Sequence, residues 1–397
     1  MKKVLLSMCL GFLAASASAQ ELKLPYYNAN PGPADFSFSC QREFPNGQPA
    51  KVLSPKKLDV RSCDMSAWDL TQYTAQELAD VITFDSKTKF PPKKKLPKGF
   101  SPKKILQNGK NPGLGVYDLH SQGITGKGVS IAIIDQNLLL NHQEYTSNVI
   151  FYEEDPFWKG MKASMHAPAV VSVAAGKRVG VAPQAQVFAF AANFQTDDSG
   201  IFDAGPIAGT LRRVAELNAQ LPPKQKIRVV SISRGFDPRD HGSKEFEEAQ
   251  KALEQNGVAV FTTNDIFTLN RTHSLDNPEN VSAYCRPPYW FEKRDVGHLS
   301  NNTQDIFVPT AFRAIASPTG SADYVHYSNG GLSWGVPYVA GLYALGVQVY
   351  PQLTKEIFVK TALETSVVRS CQYEGVSFSA RLVNPQALID RLEQLKK

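Results

Sequence analysis

The chain has 397 residues, of which 42% are hydrophobic and 20% are charged, and its formal net charge is +6. This length suffices for a large domain and a smaller segment. Much of the basic excess lies in one stretch, so the charge gives little support for nucleic-acid binding. After the first twenty residues no run is long and apolar enough to cross a bilayer, which argues against a membrane anchor.

The amino terminus has the pattern of a secretory signal peptide. Lys2 and Lys3 precede a short apolar stretch, and Ala17-Ser18-Ala19 supplies the small residues of a cleavage site. We therefore predict that residues 1–19 are a signal peptide and that the mature protein is secreted. Its compartment is extracellular, or periplasmic if the source is Gram-negative.

Four cysteines follow the signal peptide, an even number in a chain bound for an oxidising compartment. Of the three connectivities we favour Cys40 with Cys63 and Cys285 with Cys371, because each pair stays within one proposed segment. No spacing of Cys and His suggests zinc, and no HExxH occurs. The sequence thus predicts two disulfides, no metal at these residues and no cofactor.

An Asp followed by an apolar residue recurs every five positions at Asp59, Asp64 and Asp69. The pattern resembles a fragment of pentapeptide-repeat coil, with chance or a single hairpin as the alternative. Residues 20–57 before it are rich in Pro, Asn and Ser, and we expect loops there. The sequence predicts little regular structure at the start of the mature chain.

Residues 88–112 are rich in Pro and Lys. Such a composition favours an exposed, partly extended linker that proteases nick easily. We place the domain boundary there, which divides an N-terminal segment, residues 20–111, from a larger domain, residues 112–397.

The larger domain alternates short β-branched or aromatic runs with amphipathic helices. The runs are typical of buried parallel strands and cover residues 128–135, 185–192, 227–233 and 257–263. Between them, residues 206–220 place four apolar residues at helical spacing: Ile207, Leu211, Val214 and Leu217. The alternation predicts an α/β fold, a mostly parallel sheet with helices on both faces. Functional residues gather at the carboxyl ends of such strands, where Asp135 and Asn264 fall.

Ser333 lies in GLSWG, just ahead of an apolar run. A Ser before a helix is usually a cap, because its oxygen accepts from a free N–H of the first turn. GLSWG also matches GxSxG, the nucleophile elbow of α/β-hydrolases, but that fold needs a His after the Ser. The last histidine is His326, so the α/β-hydrolase interpretation fails and any base must come from upstream.

Three segments resemble the catalytic segments of the subtilisin-like serine proteases, in the family's order. GITGKGVSIAIIDQNLLLNHQEY (123–145) resembles the first, MHAPAVVSVAAGKRVGVAPQAQVFAFAA (165–192) the second and GLSWGVPYVAGLYAL (331–345) the third. LVNPQAL (382–388) is similar to the closing segment. The resemblance therefore runs from about residue 112 to the end and indicates a divergent bacterial-type member with a subtilisin-like fold.

The resemblance implies that Ser333 is the nucleophile, His166 the general base and Asp135 the carboxylate that orients the imidazole. A Ser hydroxyl is a poor nucleophile unless an imidazole accepts its proton, so these residue types suit acyl transfer. The resemblance also makes Asn264 an oxyanion donor, although Thr263 replaces the usual Gly and a turn-forming Asn is the alternative.

SISRGF (231–236) resembles the strand that binds substrate, which implies that Ser233, Arg234 and Gly235 contact the peptide. Strand addition recognises a peptide through main-chain hydrogen bonds and leaves side-chain choice to pockets. Arg234 could favour acidic side chains, or it could be an ordinary solvated or ion-paired arginine.

Two departures from the family pattern bear on the site. Ala167-Pro168-Ala169 follows His166, and since Pro is acceptable in a first helical turn we expect the helix to form. A shortened loop carries Lys177 and Arg178 where calcium would need oxygen ligands, so we predict that this calcium site is absent.

The resemblance predicts a secreted serine endopeptidase, a hydrolase whose partners are protein or peptide substrates. The main alternative is an inactive subtilisin-like fold that acts as a binding or regulatory protein, and a third is esterase or acyl-transfer activity of the same triad. By analogy, residues 20–111 are a pro-segment that partners the domain until it is cut, so the protein would be a zymogen. The alternative is a permanent accessory segment.

Overall fold

The computed structural model describes residues 23–37, 58–196, 200–288 and 305–396. The predicted signal peptide and Cys40 lie outside the described residues. Within these ranges the helices are α1 (Ala75–Val81), α2 (Pro102–Lys110), α3 (Val116–Ser121), α4 (His166–Ala175), α5 (Gly205–Gln220), α6 (Ser243–Gln255), α7 (Gly335–Val349), α8 (Lys355–Thr365) and α9 (Pro385–Leu395).

The strands are numbered in chain order. The first eight are β1 (Tyr26–Tyr27), β2 (Leu58–Asp59), β3 (Ile82–Asp85), β4 (Ser130–Asp135), β5 (Val149–Glu154), β6 (Gln186–Ala191), β7 (Ile227–Ile232) and β8 (Ala259–Phe261). The others are β9 (Ile266–Thr268), β10 (Asn270–Arg271), β11 (Tyr284–Arg286), β12 (Ile306–Val308), β13 (Arg313–Ala316), β14 (Tyr324–Tyr327), β15 (Val367–Tyr373) and β16 (Val376–Leu382).

The main sheet has six strands in the order β1-β5-β6-β4-β7-β8, and all its pairs are parallel. The four strands predicted from apolar runs are β4, β6, β7 and β8, so that prediction is confirmed. Each is wholly or almost wholly buried, as parallel strands covered on both faces must be. Because β4 lies between β6 and β7, its carboxyl end is flanked by a strand on each side.

Helices cover both faces of this sheet, which confirms the predicted fold class. Successive side chains of a strand point to opposite faces. Accordingly, Ile131 and Ile133 of β4 share a core with α4 and α7, whereas Ala132 and Ile134 share one with α5 and α6. The four apolar residues predicted to line one face of α5 are all buried.

The Asp repeat at residues 59–69 forms three similar turns. Asp59, Asp64 and Asp69 each accept a hydrogen bond from the backbone N–H two residues on. The apolar residue after each Asp is fully buried and donates its N–H to one facing segment; these residues are Val60, Met65 and Leu70. The repeat therefore has a structural basis in three successive turns of coil rather than in chance.

The N-terminal segment adds strands to two sheets of the larger domain. Its strand β3 pairs antiparallel with β14 and parallel with β2, giving the order β13-β14-β3-β2. The strand β1 lies at the edge of the main sheet and pairs with β5. Most apolar residues of the segment nevertheless form a small core of their own, separate from the two cores around the main sheet.

The Lys/Pro-rich stretch differs from the expected extended linker because it contains α2. Ser101 caps this helix by accepting from the N–H of Lys104, and Pro102 occupies the first helical position. Phe100 and Ile105 are buried, and a Cβ on Gly109 would lie 2.7 Å from the backbone N of Ala314 in β13. The helix thus packs tightly on the larger domain, with its first lysines exposed.

A disulfide joins Cys285 of β11 to Cys371 of β15, with an S–S distance of 2.01 Å, and this predicted pair is confirmed. The other predicted pair includes Cys40, which lies outside the described residues. Among the helices described here, none is long and apolar enough to span a membrane.

Candidate active site

Asp135, His166 and Ser333 come from three elements that pack on one another. Asp135 is the last residue of β4, His166 is the first residue of α4, and Ser333 lies in a 3-10 turn, Leu332–Trp334, that leads into α7. Both α4 and α7 contact β4, and α4 also contacts the 3-10 turn. The fold therefore brings all three residues to the carboxyl end of β4, where parallel sheets place functional groups.

The closest polar contact in this group joins Asp135 to His166. The imidazole Nδ1 lies 2.8 Å from Oδ1 and 2.9 Å from Oδ2 of the carboxylate, which also accepts the N–H of Gln136 at 2.8 Å. Asp135 is 3% exposed. With Nδ1–H donating to the carboxylate, the lone pair of Nε2 is free to accept a proton.

Two opposing effects act on the His166 imidazole. Burial lowers its pKa, but the charge of Asp135 and its hydrogen bond favour the protonated form, and the net result is a pKa raised above the ordinary value. A base of this kind is protonated readily during a reaction and returns the proton afterwards.

A hydrogen-bonded loop fixes the start of α4. The hydroxyl of Ser164 accepts the backbone N–H groups of His166 at 3.2 Å and Ala167 at 3.1 Å. Asn137, two residues after Asp135, accepts the N–H of Ser164 through its carbonyl and donates its side-chain amide to the carbonyl of Lys162 at 2.6 Å. Asn137 therefore ties the end of β4 to the start of α4, and the helix forms as expected despite Pro168.

Ser333 is joined to the end of β7 by two reciprocal hydrogen bonds. Its hydroxyl donates to the carbonyl of Ser233 at 3.3 Å, and the Ser233 hydroxyl donates to the carbonyl of Ser333 at 2.9 Å. Both residues are described, and no hydrogen bond between the Ser333 hydroxyl and His166 is present. Catalytic hydrogen bonds are often long or poorly aligned before substrate binds, so this geometry is compatible with catalysis.

The glycines around Ser333 are required by close packing. A Cβ on Gly330 would lie 1.8 Å from the carbonyl oxygen of Thr310, and one on Gly335 would lie 2.4 Å from Cδ1 of Ile266. Both distances are too short for any larger residue without movement of the backbone or the core. The two glycines thus allow the turn that carries Ser333 to sit against neighbouring strands.

Asn264 lies in a short turn after β8, near the end of β7. Its side-chain amide donates to the carbonyl of Phe236 at 2.8 Å, which leaves one amide hydrogen for a further acceptor. A Cβ on Gly235 would lie 2.5 Å from Oδ1 of Asn264 and 2.8 Å from Oγ1 of Thr263. Gly235 is therefore needed for Asn264 to approach this strand.

The backbone of Arg234 is hydrogen-bonded to neighbouring residues, and its side chain lies over an aromatic ring. Its N–H donates to the carbonyl of Ile232 at 2.8 Å, and its carbonyl accepts the N–H of Thr263 at 3.0 Å. The guanidinium carbon lies 3.6 Å from the ring centroid of Phe202. Next to it, neither backbone group of Gly235 hydrogen-bonds within the described residues, so this edge is open to an extended partner.

Sequence reasoning did not single out Trp334 for its contact with His166, nor Ser164 and Asn137 for positioning. The Trp334 and His166 ring centroids are 5.2 Å apart. Trp334 could have been found from its position next to Ser333. Ser164 could have been found as a helix cap, because it lies two residues before His166. Asn137 had no such signal, because its contacts depend on the fold.

The loop after α4 is held by protein groups around Glu144, whose carboxylate is fully buried. It accepts the backbone N–H of Arg178 at 2.8 Å and of Val179 at 3.3 Å, the guanidinium Nε of Arg178 at 3.2 Å, and the hydroxyl of Tyr324. The guanidinium thus supplies positive charge to this carboxylate. The absence of calcium from this loop stays a prediction, and the occupied Glu144 oxygens are consistent with it.

No family model matches the chain, and no curated protein matches it in sequence. Solved structures do resemble it. The prenylagaramide maturation protease PagA is 15% identical with a TM-score of 0.47, over 70% of this chain and 98% of that one. A cold-adapted subtilisin-like serine proteinase is 17% identical with a TM-score of 0.45, over 65% and 89%.

The subtilase cytotoxin SubAB is 14% identical with a TM-score of 0.49, over 72% of this chain and 96% of that one. The chain is similar to these solved structures, two of which are subtilisin-like by name. Likeness at this level supports no activity, so the function depends on the chain's own residues.

Proposed function

We propose that the protein is a secreted serine endopeptidase that cleaves peptide bonds through Asp135, His166 and Ser333. The observation that carries the proposal is the contact of both Asp135 oxygens with Nδ1 of His166, beside the turn that bears Ser333. A buried carboxylate fixes the imidazole tautomer and stabilises the imidazolium, which is what a serine nucleophile needs from its base.

In the proposed reaction, the Ser333 hydroxyl turns from the Ser233 carbonyl toward Nε2 of His166. As Oγ attacks the scissile carbonyl carbon, Nε2 accepts its proton. The tetrahedral intermediate then expels the amine, which takes that proton, and an ester to Ser333 remains. Water attacks the ester with the same base, releases the acid and restores the hydroxyl.

Two donors are suited to the negative oxygen of the tetrahedral intermediate. The backbone N–H of Ser333 lies in the first turn of its 3-10 helix, where no helical acceptor exists. Asn264 has one amide hydrogen besides that given to Phe236. Loss of a single donor of this type costs about 10²–10³ in kcat, so Asn264→Ala tests its assignment.

The open edge after β7 supports binding of an extended peptide. Ser233 already contacts Ser333, and the backbone groups of Gly235 are free within the described residues. A substrate strand added here would place its scissile bond beside Ser333. Ser233, Arg234 and Gly235 are accordingly proposed as substrate-binding residues, and no cofactor is needed.

One observation favours the alternative, a binding protein on a protease fold. The Ser333 hydroxyl donates to Ser233 and makes no hydrogen bond to His166, two residues that lie within the described ranges. An inactive protein would keep this arrangement when a peptide binds. An active enzyme would lose it, because the hydroxyl must donate to Nε2 for its proton to be transferred.

We further propose that residues 58–111 form an accessory segment that stays on the domain. Pairing of β3 with β14 and the tight packing of α2 on β13 support permanent attachment over removal. If the segment is a permanent accessory, it stays bound after any cut of the chain before residue 112, whereas a removable pro-segment would dissociate.

Hydrolysis tests the proposed function. The secreted protein should cleave internally quenched peptides and the matching esters, Ser333→Ala should cleave neither, and Ser121→Ala, an exposed serine in α3, should behave as wild type. Cleavage of esters alone would indicate an esterase. Peptide binding without cleavage of either substrate would favour the inactive alternative.

A further inference from the structure

Arg234 is a half-buried cation with no ion-pair partner among the described residues. Its side chain makes no hydrogen bond to any described residue, and its Nε is buried without a partner. Burial lowers its pKa, and the charge of Asp240 only partly opposes this. Arginine cannot give up its proton in water near neutral pH, so a charge held in this way is stabilised by an incoming anion.

Three described carboxylates near Arg234 in the chain or beside Phe202 already have other donors. Asp237 accepts the guanidinium of Arg239 through both oxygens at 2.8 Å. Asp240 accepts the backbone N–H of Asp237 at 2.8 Å, and Asp203 accepts that of Gly205 at 2.8 Å. Neighbouring acids therefore stabilise loop turns, and none of the described ones forms an ion pair with Arg234.

An aromatic platform fixes the guanidinium. Its carbon lies 3.6 Å from the ring centroid of Phe202, which is 2% exposed. The Phe202 ring contacts those of Phe194 and Phe236, with centroids 6.5 Å and 5.9 Å apart. Stacking of this kind holds the planar fork in one orientation while its edge stays able to donate to a carboxylate.

We propose that Arg234 selects peptides with an Asp or Glu side chain close to the scissile bond, by donating to that carboxylate. The inference rests on the proposed function, because the strand edge at Ser233 and Gly235 would carry the peptide past this side chain. Fork-shaped pairing of arginine with a carboxylate is a strong, charge-assisted contact, and a neutral amide in the same place would gain less.

The test measures binding, so that it does not depend on catalysis. Fluorescein-labelled peptides with Glu or Gln at each of four successive positions are titrated against Ser333→Ala by anisotropy. For one position the Glu peptide should bind about tenfold more tightly than the Gln peptide. The ratio should fall to about one with Arg234→Ala added, and remain partly with Arg234→Lys.

Arg212→Ala, an exposed arginine in α5, is the matched control and should keep the tenfold ratio. Peptides with amidated carboxyl termini distinguish the side chain from a terminal carboxylate; dependence on Arg234 that appears only with free termini would overturn the inference. Equal binding of Glu and Gln peptides, or no peptide binding, would overturn it as well. Hydrolysis by the wild type reports the proposed function separately.

Discussion

The indole ring of Trp334 lies against the imidazole ring of His166, with centroids 5.2 Å apart and planes at 36°. Trp334 is 6% exposed and also contacts Tyr327, with ring centroids 5.5 Å apart. The residue next to the proposed nucleophile thus forms one wall around the proposed base. Because the face of an indole is partially negative, it favours an imidazolium over a neutral imidazole.

Replacing Trp334 by Leu should lower the pKa of His166, since the protonated form loses the indole face. The acidic limb of the pH profile of kcat/KM should move to lower pH by about half a unit. Trp334→Phe should keep most of the wild-type profile. Trp68→Leu, in the small N-terminal core, should reduce stability without moving the limb, and an unmoved limb in Trp334→Leu would contradict the assignment.

Because Asp135 raises the pKa of His166, the pair should reduce activity at low pH but stabilise the fold there. The base must be neutral, so the raised pKa of His166 predicts an acidic limb above about 6.5. In Asp135→Asn, kcat should fall by about 10⁴ and the limb should move below that of the wild type, because burial acts without the carboxylate.

The same pair should stabilise the fold mainly at low pH. A folded-state pKa raised above the unfolded value contributes stability in full below about 6.5, and that stability is lost as the pH rises through the folded value. Urea unfolding of wild type and Asp135→Asn should therefore differ more at pH 5.5 than at pH 9. An equal difference at both pH values would show that His166 is not charged against Asp135.

Glu144 should be a structural carboxylate that does not depend on calcium. Glu144→Gln should destabilise the protein by about 2 kcal/mol, because two backbone N–H groups and a guanidinium lose the charge of a buried acceptor. The melting temperature of the wild type should be the same in EDTA and in calcium chloride. Lys177→Ala, exposed in the same loop, is the control. Strong calcium stabilisation that is lost in Glu144→Gln would contradict this account.

The accessory segment should stay bound after the chain is nicked. Limited proteolysis at the exposed lysines Lys93, Lys94, Lys103 and Lys104 should give two fragments that co-elute on gel filtration and separate only in denaturant. Phe84→Asp, which places a charge beside buried His326 in the β3–β14 pair, should release the N-terminal fragment. Phe84→Leu should not, and release from the active wild type would indicate a pro-segment.

The sequence predicted those parts of the fold that depend on local periodicity. Apolar runs located β4 and β6, and the spacing of the Asp repeat anticipated the coil at Asp59. The helix α2 carried a local signal too, Ser101-Pro102, but the abundance of Lys and Pro favoured a linker. Composition averages over a stretch, whereas a cap acts at one residue.

Several contacts between residues distant in the chain could not be predicted from the sequence. The pairing of β3 with β14 joins residues more than two hundred positions apart, and no local pattern specifies it. The Arg178 guanidinium on Glu144 and the guanidinium of Arg234 over Phe202 likewise depend on the fold. The resemblance to a family supplied the candidate triad, but the engagement of Ser333 with Ser233 could be seen only in three dimensions.

The most direct test of the central claim is active-site labelling with a fluorophosphonate probe, read by mass spectrometry of the labelled peptide. We expect one adduct, on Ser333, that is absent from Ser333→Ala and His166→Ala and present in His273→Ala, a surface histidine control. No adduct in wild type, before or after mild proteolysis, or an adduct that survives His166→Ala, would contradict an activated Ser333.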